Sequence, residues 1–493
     1  MATIATYILS GLLLFVLYKF LKPQKQSLPL PPSPPTDPIL GHIRSIPSKN
    51  PELTYMKWGK QYNTDILYLS FLTQPVLILN TAADAIALLD KRGALFSDRS
   101  DFHFFKEQGW TNSLTFFSRS AEFKKHRKIF GSSFTLAKCV GYQAGQVEEA
   151  WKMVRRILES PGEWNGEVKA YTTAVVLRIA YGIEVKGRDD LYVKIADQIS
   201  EAGGTGGSTG IRRLPEWVTF IPSLKFARDH REYVRKMHNL PFEHVKKEIA
   251  QGGSTPSFIR SLIEERDVLG ETPDEITDAD IEGAGATLYT AAQDTTHSTI
   301  TVFILAMLLN PSIQSTAQAE IDRVVPADRF PDFTHREKLP YIERLVQEVF
   351  RWNPVVPLST TSSPSQIHVK VLMSKAIPHK SSKATTYKGY YIPAGTLVIA
   401  NAYAIHRDPN VYKDPDRFWP DRYLPPSEGG DGAPVPCAHF GFGRRICPGQ
   451  NLGYAGVWIA VVGILATMRV RKVRDERGKE VEPNVGMTTG LTR

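Results

Sequence analysis

Cysteine is scarce in this chain. Only Cys139, Cys437 and Cys447 occur among 493 residues, too few and too irregularly spaced for a disulfide scaffold or a zinc cluster of the CxxC type, so a reducing compartment is expected. No G-x-G-x-x-G follows a strand-like run and no G-x-x-x-x-G-K occurs. The chain therefore has no dinucleotide or triphosphate cradle of its own, and reducing equivalents must come from elsewhere. Neither sign of charge dominates: 60 Lys plus Arg against 51 Asp plus Glu leave +9, which suits an anionic membrane surface or an acidic protein as well as nucleic acid. A content of 42% hydrophobic and 23% charged residues excludes disorder and collagen-like repeats and permits a large packed core.

Charge is absent altogether from Met1 to Tyr18, where Tyr7 to Leu17 is almost wholly apolar. As a helix this segment reaches about 27 Å, nearly enough to span a bilayer. Lys19, Lys22 and Lys25 follow and no basic residue precedes, so the positive-inside bias puts the rest of the chain in the cytosol. A cleaved secretory signal needs a basic leader and a small-residue cleavage site, and neither is found. Seven prolines between Pro23 and Pro38 make a stiff spacer. The expected organisation is an anchor over residues 1–21, a proline-rich linker over 22–40 and one domain over 41–493.

Within that domain helical patterns prevail. T-D-A-D at Thr277 offers a cap with an acid three residues on, and the pattern runs to Leu309 before Asn310-Pro311 stops it, about 50 Å if unbroken. Helices are also expected over Tyr341–Trp352 and Gly449–Met468. Strand-like pieces are short: Ile66–Leu69, Val76–Leu79, and Tyr387–Ile392 paired with Thr396–Asn401 through a turn at Pro393-Ala394-Gly395. Gly203–Gly210 reads as a flexible loop, and Leu214–Leu224 as an apolar segment that either joins the core or touches lipid. The fold class is mainly α with a small β-sheet.

The segment His439–Gly453, HFGFGRRICPGQNLG, carries the chemistry. Phe440, Gly443, Arg445, Cys447 and Gly449 fit F-x-x-G-x-R-x-C-x-G. The glycines permit a tight loop, and Cys447 stands before a helix expected to begin at Pro448, where free N–H groups and the helix dipole lower the thiol pKa. Thiolate is the form that ligates iron. Cys437 and Cys139 lack that setting and read as structural.

This segment resembles the haem-binding loop of the cytochrome P450 superfamily, and the likeness extends over nearly the whole chain. Among members it is similar to fungal microsomal enzymes of secondary metabolism of the O-methylsterigmatocystin oxidoreductase type. The resemblance implies haem b held between two helices with Cys447 as its axial thiolate, a ligand that pushes electron density onto iron. It implies a membrane-anchored monooxygenase at the endoplasmic reticulum that acts on a lipophilic small molecule with O2. NADPH would serve indirectly, through NADPH-cytochrome P450 reductase, with no nucleic acid involved. Ala291–Thr296 (AAQDTT) resembles the oxygen-activation motif, which makes Asp294 and Thr295 the acid and alcohol that deliver protons; Ala292 stands where glycine is usual. Glu348 and Arg351 resemble the E-x-x-R pair, with Arg422 in PDRY as its later partner. Of three E-x-x-R spacings, including Glu232/Arg235 and Glu320/Arg323, only this one runs into R-W-N-P. FKKHR resembles W-x-x-x-R with Phe123 for Trp, leaving Arg127, with His379 and Arg445, to hold the haem propionates. Lys124, Lys125, His126 and Lys128 form a solvated face or a dock for an acidic electron donor.

The pattern breaks at Ser359–Lys375, seventeen residues where related chains pass directly to Ala376-Ile377-Pro378-His379. A translated intron or a surface bulge would account for them. The chain also ends early, at Thr488–Arg493. A haem-thiolate isomerase or dehydratase, and a relic disabled by the insertion and short end, remain open alternatives at this point.

Overall fold

The computed structural model consists mainly of helices, with two small sheets. It describes residues 11, 28–47, 50–101, 103–205, 222–269, 276–358 and 377–483. The expected anchor (apart from residue 11), the insertion at 359–375, residues 206–221 and residues 484–493 lie outside the described residues. Of the expected loop Gly203–Gly210, residues 203–205 instead end the helix Leu191–Thr205.

Eight helices matter below: α1 Ala121–Ser133, α2 Gln143–Glu159, α3 Trp164–Tyr181, α4 Leu191–Thr205, α5 Arg231–Ala250, α6 Asp278–Leu309, α7 Pro340–Trp352 and α8 Gln450–Thr467. Helix α6 starts where its cap residues require. The Thr277 hydroxyl accepts the Asp280 N–H at 3.2 Å, and the Asp280 carboxylate accepts the Thr277 N–H at 3.0 Å. These bonds satisfy donors that a helix start leaves open. At the other end Asn310 precedes Pro311, which begins a separate helix. Helix α6 packs on α3, α5, α7 and α8. A Cβ at Gly285 would collide with the Tyr181 hydroxyl of α3, so the residue is small because the two helices approach closely.

Helix α8 is apolar on nearly every side, from Leu452 to Leu465. It is long and apolar enough to cross a membrane, yet it is mostly buried inside the protein, where each fully buried large side chain contributes about 1.5–3 kcal/mol.

The larger sheet has the order β1 (Ile66–Phe71), β2 (Gln74–Leu79), β6 (Leu397–Ala400), β3 (His379–Lys380). Strands β1 and β2 are antiparallel, β2 and β6 parallel with Val76 opposite Leu397, and β3 antiparallel to β6 with His379 opposite Val398. The expected hairpin through Pro393-Ala394-Gly395 is not formed. Instead β4 (Thr385–Tyr387) pairs with β5 (Tyr390–Ile392) across Lys388 and Gly389, whose φ values are +49° and +80°. Two consecutive positive φ values match the right-handed twist of a two-residue hairpin. Residues Pro393–Thr396 only lead the chain across to the larger sheet, where β6, buried at all four positions, finds a better partner in β2.

Candidate active site

Cys447 lies in a loop that its own backbone bonds fix. Its N–H donates to the Phe440 carbonyl at 2.8 Å and the Ile446 N–H to the Gly443 carbonyl at 3.1 Å. Gly443, at φ +57°, sits so close to the Leu89 carbonyl that a Cβ could not be placed; glycine is required there for both reasons. Helix α8 begins at Gln450 with Gly449 as its cap, so Pro448 precedes the helix instead of opening it. That correction changes the electrostatics. The sulfur is densely surrounded, although the residue keeps part of its surface in solvent. Burial pushes the thiol above its ordinary pKa, against smaller downward pulls from the Gly449 N–H and the Arg127 charge. Helix start and dipole alone therefore do not produce the thiolate; bonding to a metal ion would, since coordination deprotonates a thiol outright.

Around this loop the fold gathers positive charge. The Arg445 guanidinium lies 3.6 Å from the centre of the Phe123 ring of α1. Its Nε donates to the Ser97 carbonyl at 2.9 Å and its Nη2 to the Phe117 carbonyl at 2.8 Å, while Nη1 is buried with no hydrogen-bond partner among the described residues. Arg127 Nη1 donates to the Ile446 carbonyl at 2.6 Å. Arg99, whose role the sequence did not suggest, donates through Nη1 to the Ile377 carbonyl at 2.5 Å and has a buried Nε with no partner among the described residues. Only its folded position beside Arg445 marks it. Burial lowers Arg445 to about 10; burial and then repulsion from Arg445 lower Arg99. His379 in β3 is 8% exposed, and its Nδ1 lies 2.8 Å from the Phe96 carbonyl. A carbonyl only accepts, so Nδ1 carries the proton and Nε2 is an acceptor unless the ring is protonated. Burial, with Arg99 and Arg445 nearby, holds His379 down to about 3. An anion set among these side chains would relieve the whole cluster.

Asp294 and Thr295 stand on α6, joined to the loop through the packing of α6 on α8. The helix is continuous through the motif. The Thr295 hydroxyl donates to the Ala291 carbonyl at 2.7 Å, and Asp294 Oδ1 accepts from Ser200 of α4 at 3.5 Å.

Glu348, Arg351 and Arg422 meet with no exposed side-chain surface. Arg351 gives Glu348 two bonds of 2.8 Å and Arg422 one of 3.1 Å. Tyr423 and the Trp419 N–H complete the carboxylate. The two guanidiniums bond the carbonyls of His406, Lys413, Pro415 and Arg417, so this is a scaffold lock. The other E-x-x-R spacings do not form one: Glu232–Arg235 is an exposed pair, and Glu320 accepts the N–H groups of Tyr341 and Ile342. In the basic run of α1, Lys125 and buried His126 both bind Asp280, at 2.9 and 3.1 Å, leaving Lys124 and Lys128 exposed. Of the remaining cysteines, Cys139 is buried as expected, but Cys437 is exposed and so is not a core thiol.

The cytochrome P450 family model matches residues 31–491. The chain is 33% identical over 483 residues to cytochrome P450 monooxygenase 136 of Postia placenta, covering 95% of this chain and 87% of that one. It is 30% identical over 479 residues to a cytochrome P450 monooxygenase of Armillaria gallica, covering 95% and 90%. The chain belongs to the cytochrome P450 family. It is also 32% identical over 484 residues to tryptamine 4-monooxygenase of Psilocybe cyanescens, covering 94% and 90%. A zebra fish cytochrome P450 solved with progesterone shares the fold, with a TM-score of 0.70 at 21% identity over 90% of this chain and 99% of that one. This P450 is thus a monooxygenase whose family implies a haem-thiolate cofactor. The residues present suit that group: a cysteine in a glycine-shaped loop, and beside it arginines with buried N–H groups that lack an acceptor.

Proposed function

We propose that this P450 inserts one oxygen atom into a C–H or C=C bond of a lipophilic small molecule, in fungal secondary metabolism. The N-terminal apolar segment would anchor it to the endoplasmic reticulum with the catalytic domain in the cytosol. Electrons come from NADPH through NADPH-cytochrome P450 reductase. The chain's lack of a dinucleotide cradle supports a separate donor, and exposed Lys124 and Lys128 offer such a donor a basic surface.

Haem b, once bound, supplies dioxygen activation and oxygen transfer. Cys447 holds the iron, with Phe440, Gly443 and Gly449 shaping the loop around it. Arg127, Arg445 and His379 hold the propionates. Arg445 acts through its free Nη1, and His379 donates only after an adjoining anion has raised its pKa enough for a second ring proton. Asp294 delivers protons, and the Thr295 hydroxyl relays them by rotating away from the Ala291 carbonyl. The single observation that carries this reading is Cys447 set beside buried arginines whose N–H groups lack acceptors.

A carbon monoxide difference spectrum of the reduced protein tests it: a strongly red-shifted Soret band is expected, and Cys447→Ser should abolish it. A spectrum unchanged by that substitution removes Cys447 as ligand. Thr295→Ala should keep the band while more NADPH ends as peroxide; unaltered coupling of NADPH use to product removes Thr295 from proton delivery.

A further inference from the structure

A carboxylic acid that gives up a proton in each turnover must regain one from solvent. Asp294 is half-buried on α6, and α6 packs on α3 and α4, so the route by which its proton returns is built from those two helices. Helix α3 is otherwise closed to water there: from Glu167 to Leu177 every residue is buried except Lys169.

Each of the three helices carries two polar side chains one turn apart: Asn165 and Lys169 on α3, Asp197 and Ser200 on α4, Asp294 and His297 on α6. That spacing puts each pair on one face. Contacts between helices join the pairs. The Ser200 hydroxyl donates to Asp294 Oδ1 at 3.5 Å, Lys169 Nζ lies 2.8 Å from Asp197 Oδ1, and His297 Nε2 lies 2.8 Å from Asn165 Oδ1. The side chains of Lys169 and Asp197 are 30% and 42% exposed. A polar line therefore runs from solvent at the Lys169–Asp197 ion pair, along one face of α4 to Ser200, and across to Asp294.

The chemistry of each member decides its part. The Ser200 bond is long, so its hydroxyl is held loosely and can turn, and a hydroxyl both donates and accepts. As Oγ gives its proton to the Asp294 carboxylate it takes one from a solvent water beside Asp197. One O–H bond breaks at Oγ and one forms, and the net change is one proton moved from solvent to Asp294. His297 is not a rival source. Burial, aided by the Lys169 charge, holds it down to about 4, and the proton on Nε2 is committed to the Asn165 oxygen.

We propose that Ser200 is a positioning residue for proton delivery, passing protons from solvent at the Lys169–Asp197 pair to Asp294. This rests on the reading of Asp294 as the proton-delivering acid and adds the route by which that acid is reloaded.

The test reads NADPH consumption by the haem-loaded full-length protein with saturating reductase, in H2O and in D2O. No substrate is added, since NADPH is then consumed with release of peroxide. Ser200→Ala should slow consumption about two- to tenfold, the size of one hydrogen bond, and raise the solvent isotope effect, because proton transfer becomes the slow step. Asp197→Asn should act in the same direction on both. Ser200→Thr, which keeps the hydroxyl, should stay within about twofold of the unsubstituted protein. A second measurement needs no turnover: the carboxyl infrared band that is missing in Asp294→Asn should titrate at higher pH in Ser200→Ala, which removes a donor to the carboxylate. An unchanged isotope effect in Ser200→Ala or Asp197→Asn, a loss in Ser200→Thr as large as in Ser200→Ala, or an unshifted infrared titration overturns the proposal. Where Ser200→Ala fails to fold in a thermal melt, the isosteric pair Ser200→Val and Ser200→Thr carries the same comparison. Failure of the underlying reading appears separately, as a normal rate and isotope effect in Asp294→Asn.

Discussion

Arg445 illustrates how a single side chain divides its work. Two of its nitrogens tie Ser97 and Phe117 to the cysteine loop, and the third is left for an anion. Lysine is a point charge without that fork. Arg445→Lys should therefore lose both carbonyl bonds and most of its grip on haem, about ten- to hundredfold in affinity if one charge-assisted bond of about 1.5–3 kcal/mol is lost. Haem per chain after gel filtration measures it, and full retention would show that the propionates are held elsewhere. At this scale the motif spacing made Cys447, Arg445 and Glu348 legible, because their backbone surroundings dictate the neighbouring glycine and proline types. Arg99 was not legible: its partners, Ile377 and Arg445, are hundreds of residues away, and nothing local distinguishes it from a surface arginine. The depressed thiol pKa expected for Cys447 is not found, because burial, which a local pattern does not reveal, outweighs the Gly449 N–H and the Arg127 charge.

Elements were legible where the chain's own ends define them. The Thr277 cap and the Asn310-Pro311 stop bounded α6 as expected, and the apolar run of α8 announced a buried helix. The small strands were not, since a three-residue strand is chosen by competition between partners. Tyr387–Ile392 contains its own hairpin signal in Lys388-Gly389, and β6 is drawn away by β2. Gly389→Ala places a Cβ at φ +80° with no atom within 4 Å, so its cost is purely that of backbone strain. A loss of about 1 kcal/mol is expected in a thermal melt, and a stabilisation would refute the turn assignment. The lock on α7 is far less forgiving. Glu348→Gln leaves two arginines, both without exposed side-chain surface, short of their counter-ion. Breaking such a pair costs about 3–5 kcal/mol. Urea unfolding followed by far-ultraviolet circular dichroism should show that loss, and a change under about 1 kcal/mol would mean that the surrounding carbonyls carry the guanidiniums unaided.

For the whole molecule the decisive count is of histidines kept neutral by burial. His238 and His297 are lowered to about 4, and His439 to about 3, burial being the first cause in each. The unfolded chain, with histidines near 6.5, binds protons in this window that the folded chain refuses. Stability therefore rises with pH where the unfolded state holds more protons, and falls as pH drops from about 6.5 toward 4. Each such group contributes up to about 1.4 kcal/mol per pH unit. The Asp280 carboxyl, lowered by its bonds to His126, Thr277 and Lys125 against burial, loses its stabilising effect only at more acid pH. Glu167 and Glu282, raised by burial, work in the opposite sense near the lower edge of the window. Urea midpoints should fall steadily from pH 7 to pH 5. His439→Phe, which preserves the stack on Phe350 at 4.7 Å, should flatten the slope by about one proton's worth. A midpoint independent of pH over that range would mean that these rings take up protons in the folded state.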